Sequence, residues 1–538
     1  MVLPSDHSAP LFQSIQRFRL PICAVAGVVF GLSWPPIGLW VFALMAPGVL
    51  FLCLKDADTS TRFLCSTIFF TLAWSVAFHW NALHPVPTTA FSSVIALFTM
   101  ICLQSALITI FSTARKNSTP WISSSSSSSS SSGKNGMKSG AHFLWGALGI
   151  AMWDWIMMFG PMPMPGTMLG LSVSNSMLAD GWAPLLGTYA LTLIVLFVNV
   201  GWVVALQQKA YRRWAVLVIL AVIFVPLLFA PKTIKPESSI QITSIQPGAT
   251  PNEWADVNDQ SKIETFGVLI AAALLDFPET EMVILPETAL PVSNSDTLIN
   301  VLQKWASDFE VNIMAGGIEV DNQGQFYNVF AGAGAGASAG RGAGSNAGAD
   351  TGPEAFLYQK RRLIPFVESV PFGDKLPFND RFLLESGGVS SYESGNELVP
   401  YIYAGLNLGV LICFESFFPS DARKLKKMGA EILIVPTQDG WWGSQTARAQ
   451  HASYSRMIAL AVGMSVVQSS VDGMTVMWDE TGRVLAESEG NGLEYVNATF
   501  NLATRCTVYS FSGDYPSNVF LAILLIVYLV GLSRSRRA

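Results

Sequence analysis

From about Leu20 to Ala230 the chain is a succession of long apolar runs separated by short polar breaks, and after Pro231 the pattern changes. A helix crosses a bilayer with roughly 17–25 apolar residues. On that measure the runs predict eight spans, near 20–36, 38–54, 63–80, 88–112, 142–160, 183–206, 213–230 and, at the far end, 515–533. Between them lies a region where apolar runs are short and alternate with amphipathic stretches. Predicted strands there are 240–245, 282–285, 313–318, 408–412, 432–435 and 465–468; predicted helices are 256–275, 300–309, 419–428 and 447–461. Short runs apolar on both faces, alternating with helices, predict an α/β domain with its sheet covered by helices. The expected organisation is a seven-span domain over 1–230, an α/β domain over 231–514, and a closing span with a basic tail over 515–538.

Composition sharpens this division. The chain is 51% hydrophobic and 13% charged, with a mean hydropathy of +0.40, against roughly 25% charged residues in soluble domains. Arg17 and Arg19 precede span 1, Lys55 and Arg62 follow span 2, Arg115, Lys116, Lys134 and Lys138 follow span 4, and Lys209, Arg212 and Arg213 follow span 6. The alternate connections at 37, 81–87 and 161–182 carry no Lys or Arg. Positive charge stays on the cytoplasmic side, so both termini are expected in the cytoplasm and 231–514 outside it. The first run lacks a small-residue cleavage site and leads at once into another span, so no cleaved leader is expected.

Two stretches break the pattern. Ser123–Ser132 is an unbroken serine run and 331–352 is a Gly/Ala tract. Neither offers enough side chain to offset ordering entropy, and both are expected to be flexible loops. The second is expected to lengthen a hairpin between strands 326–330 and 355–359.

Candidate chemistry collects where predicted strands end. Glu287 follows Met282-Val283-Ile284-Leu285, Lys360 ends the strand before Arg361-Arg362-Leu363-Ile364-Pro365-Phe366, and Cys413 closes Leu408–Ile412. Open α/β sheets place ligands at such strand ends. A carboxylate, a cation and a thiol together are the means for cysteine-based acyl transfer. A thiol reacts as its thiolate and has a pKa of about 8.5 when free, so a base or a cation must assist it. The five histidines are scattered without metal-ligand spacing, so neither a metal site nor a Cys–His pair is expected. Of the six cysteines only Cys413 and Cys506 lie in the outer domain, and a structural disulfide between them is the alternative to a free nucleophile.

These motifs resemble those of the nitrilase, or carbon–nitrogen hydrolase, superfamily. Leu285-Pro286-Glu287-Thr288-Ala289 is similar to its glutamate motif, Lys360–Phe366 to its lysine motif and Ile412-Cys413-Phe414-Glu415 to its cysteine motif. With the membrane spans added, the layout resembles that of the apolipoprotein N-acyltransferases. Ala183-Pro184-Leu185-Leu186-Gly187-Thr188-Tyr189, Tyr327-Asn328 and Gly513-Asp514-Tyr515-Pro516 extend the likeness. The resemblance implies an αββα sandwich outside a bacterial inner membrane, with Glu287, Lys360 and Cys413 as catalytic residues. It implies Glu368 as a second essential glutamate, fixing Lys360 or left as surface charge. Glu415 is expected to position the cysteine loop or to accept backbone hydrogen bonds. Asn328, Trp254 and Trp441 are the substrate-binding candidates. The implied partners are a glycerophospholipid acyl donor, a diacylated apolipoprotein and membrane lipid, with no nucleic acid, no cofactor and a monomeric chain. Phe414 stands where the family often has tyrosine, Gln438 where asparagine is common, and Asp154 where glutamate is usual. A membrane-tethered amidase and a non-catalytic lipoprotein-binding scaffold are the rival readings.

Overall fold

A computed structural model describes residues 8–537 apart from 84–86, 114–130, 161, 230–237, 251–252, 254–258, 335–354, 366, 370–391, 404–405, 491 and 503–504. The chain forms two compact units: Met1–His79 with Ser93–Ala230 and Asp514–Ala538, and Trp80–Ser92 with Pro231–Gly513. Trp80–Ser92 thus clusters with the second unit, although the apolar pattern grouped it with the first. Trp80 Nε1 donates to Gln450 Oε1 at 3.0 Å, and its ring meets Trp442 edge-on with centroids 4.8 Å apart.

The first unit is helical. Ser93–Thr113, Thr188–Gln207 and Tyr515–Ser533 are long and apolar enough to cross a membrane, and Arg19–Gly31, Trp40–Leu54 and Leu144–Phe159 are shorter apolar helices. Phe30, Trp34, Phe69 and Trp74 are buried among these helices, with Trp34 and Trp74 edge to face at 5.1 Å. Asn199 joins separate segments by accepting from the Gly48 amide and donating to the Ala43 carbonyl. The expected serine loop is corrected at its end: Ser131 and Ser132 begin the helix Ser131–Phe159, and 123–130 lie outside the described residues.

The second unit is a sandwich of two sheets. In the first sheet β13 (Glu494–Asn501), β1 (Ser239–Gln246), β2 (Met282–Ile284), β4 (Asn312–Val320), β5 (Phe326–Ala333) and β6 (Ala355–Gln359) lie side by side in that order, with β3 (Val292–Ser293) on β4. In the second the order is β12 (Val484–Glu487), β11 (Val476–Trp478), β10 (Ser465–Ser470), β9 (Ile432–Thr437), β8 (Leu406–Val410) and β7 (Tyr401–Tyr403). The centre of each sheet is parallel, β1 with β2 and β4, and β8 with β9 and β10, while the edges are antiparallel.

The two-sided apolar pattern of the central strands follows from this layering. Met282, Ile284 and Met314 face the inter-sheet core with Leu408, Val410, Ile432 and Ile434. Their neighbours Val283, Leu285, Ile313 and Ala315 pack outward with Phe266, Ile270, Leu298, Leu302 and Trp305. These last side chains come from α1 (Asp259–Asp276) and α2 (Ser295–Phe309), and Asn294 caps α2 by accepting from the Thr297 amide. Each fully buried Leu, Ile or Phe is worth about 1.5–3 kcal/mol relative to exposure. The other sheet is flanked by α3 (Pro419–Lys427) and α4 (Gln445–Ile458). Gly409 lets β8 approach α3: a Cβ there would lie 3.2 Å from Leu425 Cδ1.

Two sequence expectations change here. The Gly/Ala tract is structured at its start, since Ala331–Ala333 continue β5, pair with 355–357 and are buried. Small side chains are what the crowded register admits, as a Cβ on Gly332 would lie 2.4 Å from the Phe356 ring. Residues 335–352 of the tract lie outside the described residues. The strand before Cys413 ends at Val410, and Cys413 opens a short 3-10 turn, Cys413–Phe417.

Candidate active site

Three loops at strand ends hold the expected residues. Glu287 sits just beyond β2. The Leu285 amide donates to the Met314 carbonyl, the Gly316 amide to Pro286 and the Leu290 amide to Gly316, so the loop is laced to β4. The approach is close enough to require glycine: a Cβ on Gly316 would meet Glu287 Cα and Pro286 O at 2.6 Å each. Lys360 follows β6 directly; its amide donates to Asn328 O and its carbonyl accepts from the Gly395 amide. Cys413 follows β8, whose continuation is held to β9 by the Leu411 amide on Ile434 O.

Two of these loops are strained. Thr288 and Cys413 have φ of 55° and 50°, in the left-handed region. Such a conformation costs a non-glycine residue roughly 1–3 kcal/mol and persists only where its surroundings enforce it.

The side chains meet in a buried polar cluster. Lys360 Nζ donates to Glu368 Oε1 at 2.8 Å and to Glu287 Oε1 at 3.3 Å, with the lysine side chain fully buried. Asn328 Nδ2 donates to the same two oxygens, at 2.7 Å to Glu287 and 3.2 Å to Glu368. Glu368 also accepts from the Ile364 amide on Oε2 at 2.8 Å. An ammonium has three N–H donors, so Lys360 keeps one beyond its two carboxylates. Glu287 Oε2 is buried with no hydrogen-bond partner.

Electrostatics follow from this crowding. Burial pushes the Glu287 carboxyl above the ordinary carboxylate range, the Lys360 charge opposing it and Glu368 adding to it. Burial works to lower Lys360, but Glu287, Glu368 and Cys413 outweigh it and hold the ammonium well above its usual value. The Cys413 thiol is driven up by burial and by Glu287, with Lys360 pulling the other way. The resting site therefore holds a neutral thiol within electrostatic reach of Glu287 and Lys360.

Glu415 is buried differently. Its Oε1 accepts from the Arg361 and Arg362 amides at 2.9 and 3.1 Å, its Oε2 from the Ile412 amide at 2.8 Å, and Tyr358 Oη lies within 2.9 Å of both oxygens. It ties the loop after Lys360 to the turn that carries Cys413. Burial raises its pKa, and the Ile412 and Arg361 amides counter that.

The substrate-binding candidates separate. Asn328 is drawn into the carboxylate cluster. Trp441 is 40% exposed in the turn Asp439–Trp442. Trp254 lies outside the described residues. No disulfide joins Cys413 to Cys506; Cys413 is buried and Cys506 exposed.

Sequence spacing missed one pair. His451 on α4 and Asp439 after β9 each bring a ligand atom within 4.8 Å of Cys413 and of one another. Three such donors can hold a metal ion, but both ring nitrogens of His451 are engaged, Nδ1 with Asp439 Oδ1 at 2.7 Å and Nε2 with Ser416 Oγ at 2.9 Å. The usable signal was that Asp439 stands just past β9, the strand parallel to β8.

Residues 241–507 match the carbon–nitrogen hydrolase family, and residues 26–201 match the apolipoprotein N-acyltransferase N-terminal domain. An apolipoprotein N-acyltransferase of Chlorobaculum tepidum is 23% identical over 96% of this chain and 97% of its own length. One of Vibrio parahaemolyticus is 22% identical over 95% of this chain and 97% of its own. A carbon–nitrogen hydrolase structure from Helicobacter pylori covers 49% of this chain and 89% of its own at 18% identity, with a TM-score of 0.36. Two family models laid end to end, and relatives matched along nearly their whole length, place this chain in the apolipoprotein N-acyltransferase family, a membrane branch of the carbon–nitrogen hydrolases.

Proposed function

We propose that this protein moves an acyl chain from a glycerophospholipid to the α-amine of the N-terminal cysteine of a diacylated apolipoprotein, through a thioester on Cys413. The observation that carries this reading is the buried Glu287–Lys360 pair facing Cys413 on a chain whose other half is apolar helices. Glu287 takes the thiol proton on its open Oε2. The Cys413 sulfur attacks the ester carbonyl, and the third N–H of Lys360 stabilises the oxyanion that develops. Collapse breaks the ester C–O bond. Glu287 returns its proton to the departing alkoxide, lysophospholipid leaves, and the acyl group stays on sulfur. The lipoprotein amine then attacks the thioester while Glu287 accepts its proton. Collapse breaks the C–S bond, the amide is released, and the thiolate recovers a proton from Glu287. Glu368 and Asn328 hold Glu287 and Lys360 in register for both halves.

Both substrates are lipid-anchored, which accounts for the apolar helices. The eight spans read from the sequence, with cytoplasmic termini and the 231–514 domain on the periplasmic face of a bacterial inner membrane, complete the reading. It implies no cofactor, no nucleic acid and a monomeric enzyme.

Incubating the detergent-solubilised protein with radiolabelled phospholipid alone should give a protein-bound acyl group released by neutral hydroxylamine. Cys413→Ala should carry none. A diacylated lipopeptide with a free α-amine should then take the label into an amide. Discharge to free fatty acid regardless of lipopeptide would replace the transferase reading by a hydrolase. Absence of label in folded protein would leave a non-catalytic lipoprotein-binding role.

A further inference from the structure

His451 and Asp439 belong to no motif used above, yet both are buried against the nucleophile turn. His451 is 2% exposed and Asp439 fully buried. The ring is fixed on every side: Phe417 stacks on it with centroids 5.2 Å apart, Nδ1 meets Asp439 Oδ1 at 2.7 Å, and Nε2 meets Ser416 Oγ at 2.9 Å. Ser416 Oγ in turn donates to the Cys413 carbonyl at 2.7 Å. These contacts determine the protons. A carboxylate only accepts, so Nδ1 carries hydrogen. The Ser416 hydrogen is spent on the Cys413 carbonyl, so its oxygen must accept from Nε2, which therefore carries hydrogen as well. The ring is an imidazolium, and its charge is answered by Asp439.

The carbonyl at the end of this chain belongs to the residue held at φ 50°. Strained backbone at a nucleophile needs a restraint. The 3-10 turn that Cys413 opens engages its carbonyl through an i→i+3 backbone bond, and Ser416 Oγ adds a side-chain grip that is tied in turn to His451.

We infer that the Asp439–His451 pair is a positioning device for Cys413: the imidazolium, through Ser416, pins the Cys413 carbonyl and so fixes the direction in which the sulfur points. The inference deepens the function proposed above and rests on it for its chemistry. His451 does not touch the reacting atoms. Loss of the Nε2 proton removes the donation to Ser416, and loss of the Nδ1 proton sets a lone pair against the Asp439 carboxylate, so both links hold only while the ring is charged.

The ionisable groups facing the ring are Asp439, Cys413 and Glu287; Asp472, the other acid near Asp439, is held by Arg448 at 2.6 Å. Burial would drive the imidazolium to give up its proton, but Asp439 and its hydrogen bond outweigh that, with the Cys413 backbone and Glu287 adding to it, so the ring stays charged above its ordinary range. Because the folded value is raised, the ring keeps its charge to higher pH than a free imidazole and loses it as pH rises through that value.

The test uses the full-length protein in detergent and reads Cys413 acylation by the burst of p-nitrophenolate from a short-chain p-nitrophenyl ester, corrected with Cys413→Ala. This readout needs neither lipid nor lipoprotein. A failure of phospholipid to acylate Cys413 would count against the transferase reading and leave the burst to judge this one. Wild type should lose burst rate on the alkaline side, through an ionisation above the ordinary imidazole value of about 6.5. Asp439→Asn, which removes the opposing charge, should move that loss to lower pH by at least about one unit. His451→Gln keeps one N–H toward Ser416 at every pH; it should react about 10-fold more slowly at neutral pH with no alkaline loss, and with KM for the ester unchanged within about 2-fold. Identical alkaline limbs in wild type, Asp439→Asn and His451→Gln would overturn the inference, as would a burst rate that neither substitution alters. A change confined to KM would also overturn it, since a positioning role acts on the chemical step.

Discussion

Glu287 and Glu415 are both buried glutamates near Cys413, the proposed nucleophile, and the regions around them are built on opposite rules. Around Glu415 every acceptor site is used: three backbone amides and a tyrosine hydroxyl converge on its two oxygens. Around Glu287 the protein fills one oxygen, with Lys360 and Asn328, and leaves the other unpartnered. A saturated carboxylate is a structural tie, since any proton it took would displace a donor. An unsaturated one costs stability and is free to accept a proton. The contrast separates a residue that ties the site together from the one proposed to work in it, although both carry the same side chain.

The largest expected effect follows from replacing each by glutamine. Glu287→Gln should lower the rate of Cys413 acylation by at least about 10²-fold, the usual worth of a general base, measured as single-turnover thioester formation. Its folding stability should change by less than about 1 kcal/mol. The amide oxygen still accepts from Lys360 and Asn328, and the amide nitrogen occupies the position that has no partner. The pH dependence has a definite sign. Because the folded Glu287 pKa is raised, its share of stability is present at low pH and lost as pH rises through that value. Glu287→Gln should flatten that fall and be no less stable than wild type at neutral pH.

Glu415→Gln should do the reverse. In either orientation its NH₂ faces a backbone N–H, from Arg361 and Arg362 on one side or Ile412 on the other. Thermal unfolding in detergent should show a loss of about 2–3 kcal/mol. Equal thermal losses in the two variants would erase the comparison.

A smaller effect should come from Gly316→Ala. The added methyl meets the Glu287 backbone at 2.6 Å, so the Glu287 loop must shift. Acylation should fall about 10-fold with the cysteine still reactive, because small misplacements of a base are costly. An unchanged rate would mean that the loop gives way without moving the carboxylate.

Much of this was legible from the chain. The central strands are buried on both faces, so Met282-Val283-Ile284 and Ile432-Leu433-Ile434-Val435 read as unbroken apolar runs; Glu287 stood just past the first, Cys413 closed the run Leu408–Ile412, and Lys360 followed the alternating edge strand Ala355–Gln359. The edge was harder to read. β11 is three residues long and β12 is largely exposed, so neither carries a pattern. Ala331–Ala333 passed for loop because tract composition hid a strand that needs small side chains. The reach of Glu415 to the Arg361 and Arg362 amides, and of His451 to Ser416, depends on pairings between β6, β8 and β9 that no local spacing encodes.

Transfer to a lipoprotein amine leaves a chemical mark on the lipoprotein itself. The N-terminal lipopeptide of a lipoprotein is analysed by mass spectrometry from cells that depend on this chain and from cells carrying Cys413→Ala at equal membrane abundance. The native protein should give an amide-linked third acyl chain, and the variant a free α-amine on the diacylated cysteine. A fully acylated N-terminus in the Cys413→Ala cells, with no other acyltransferase present, would contradict transfer through Cys413.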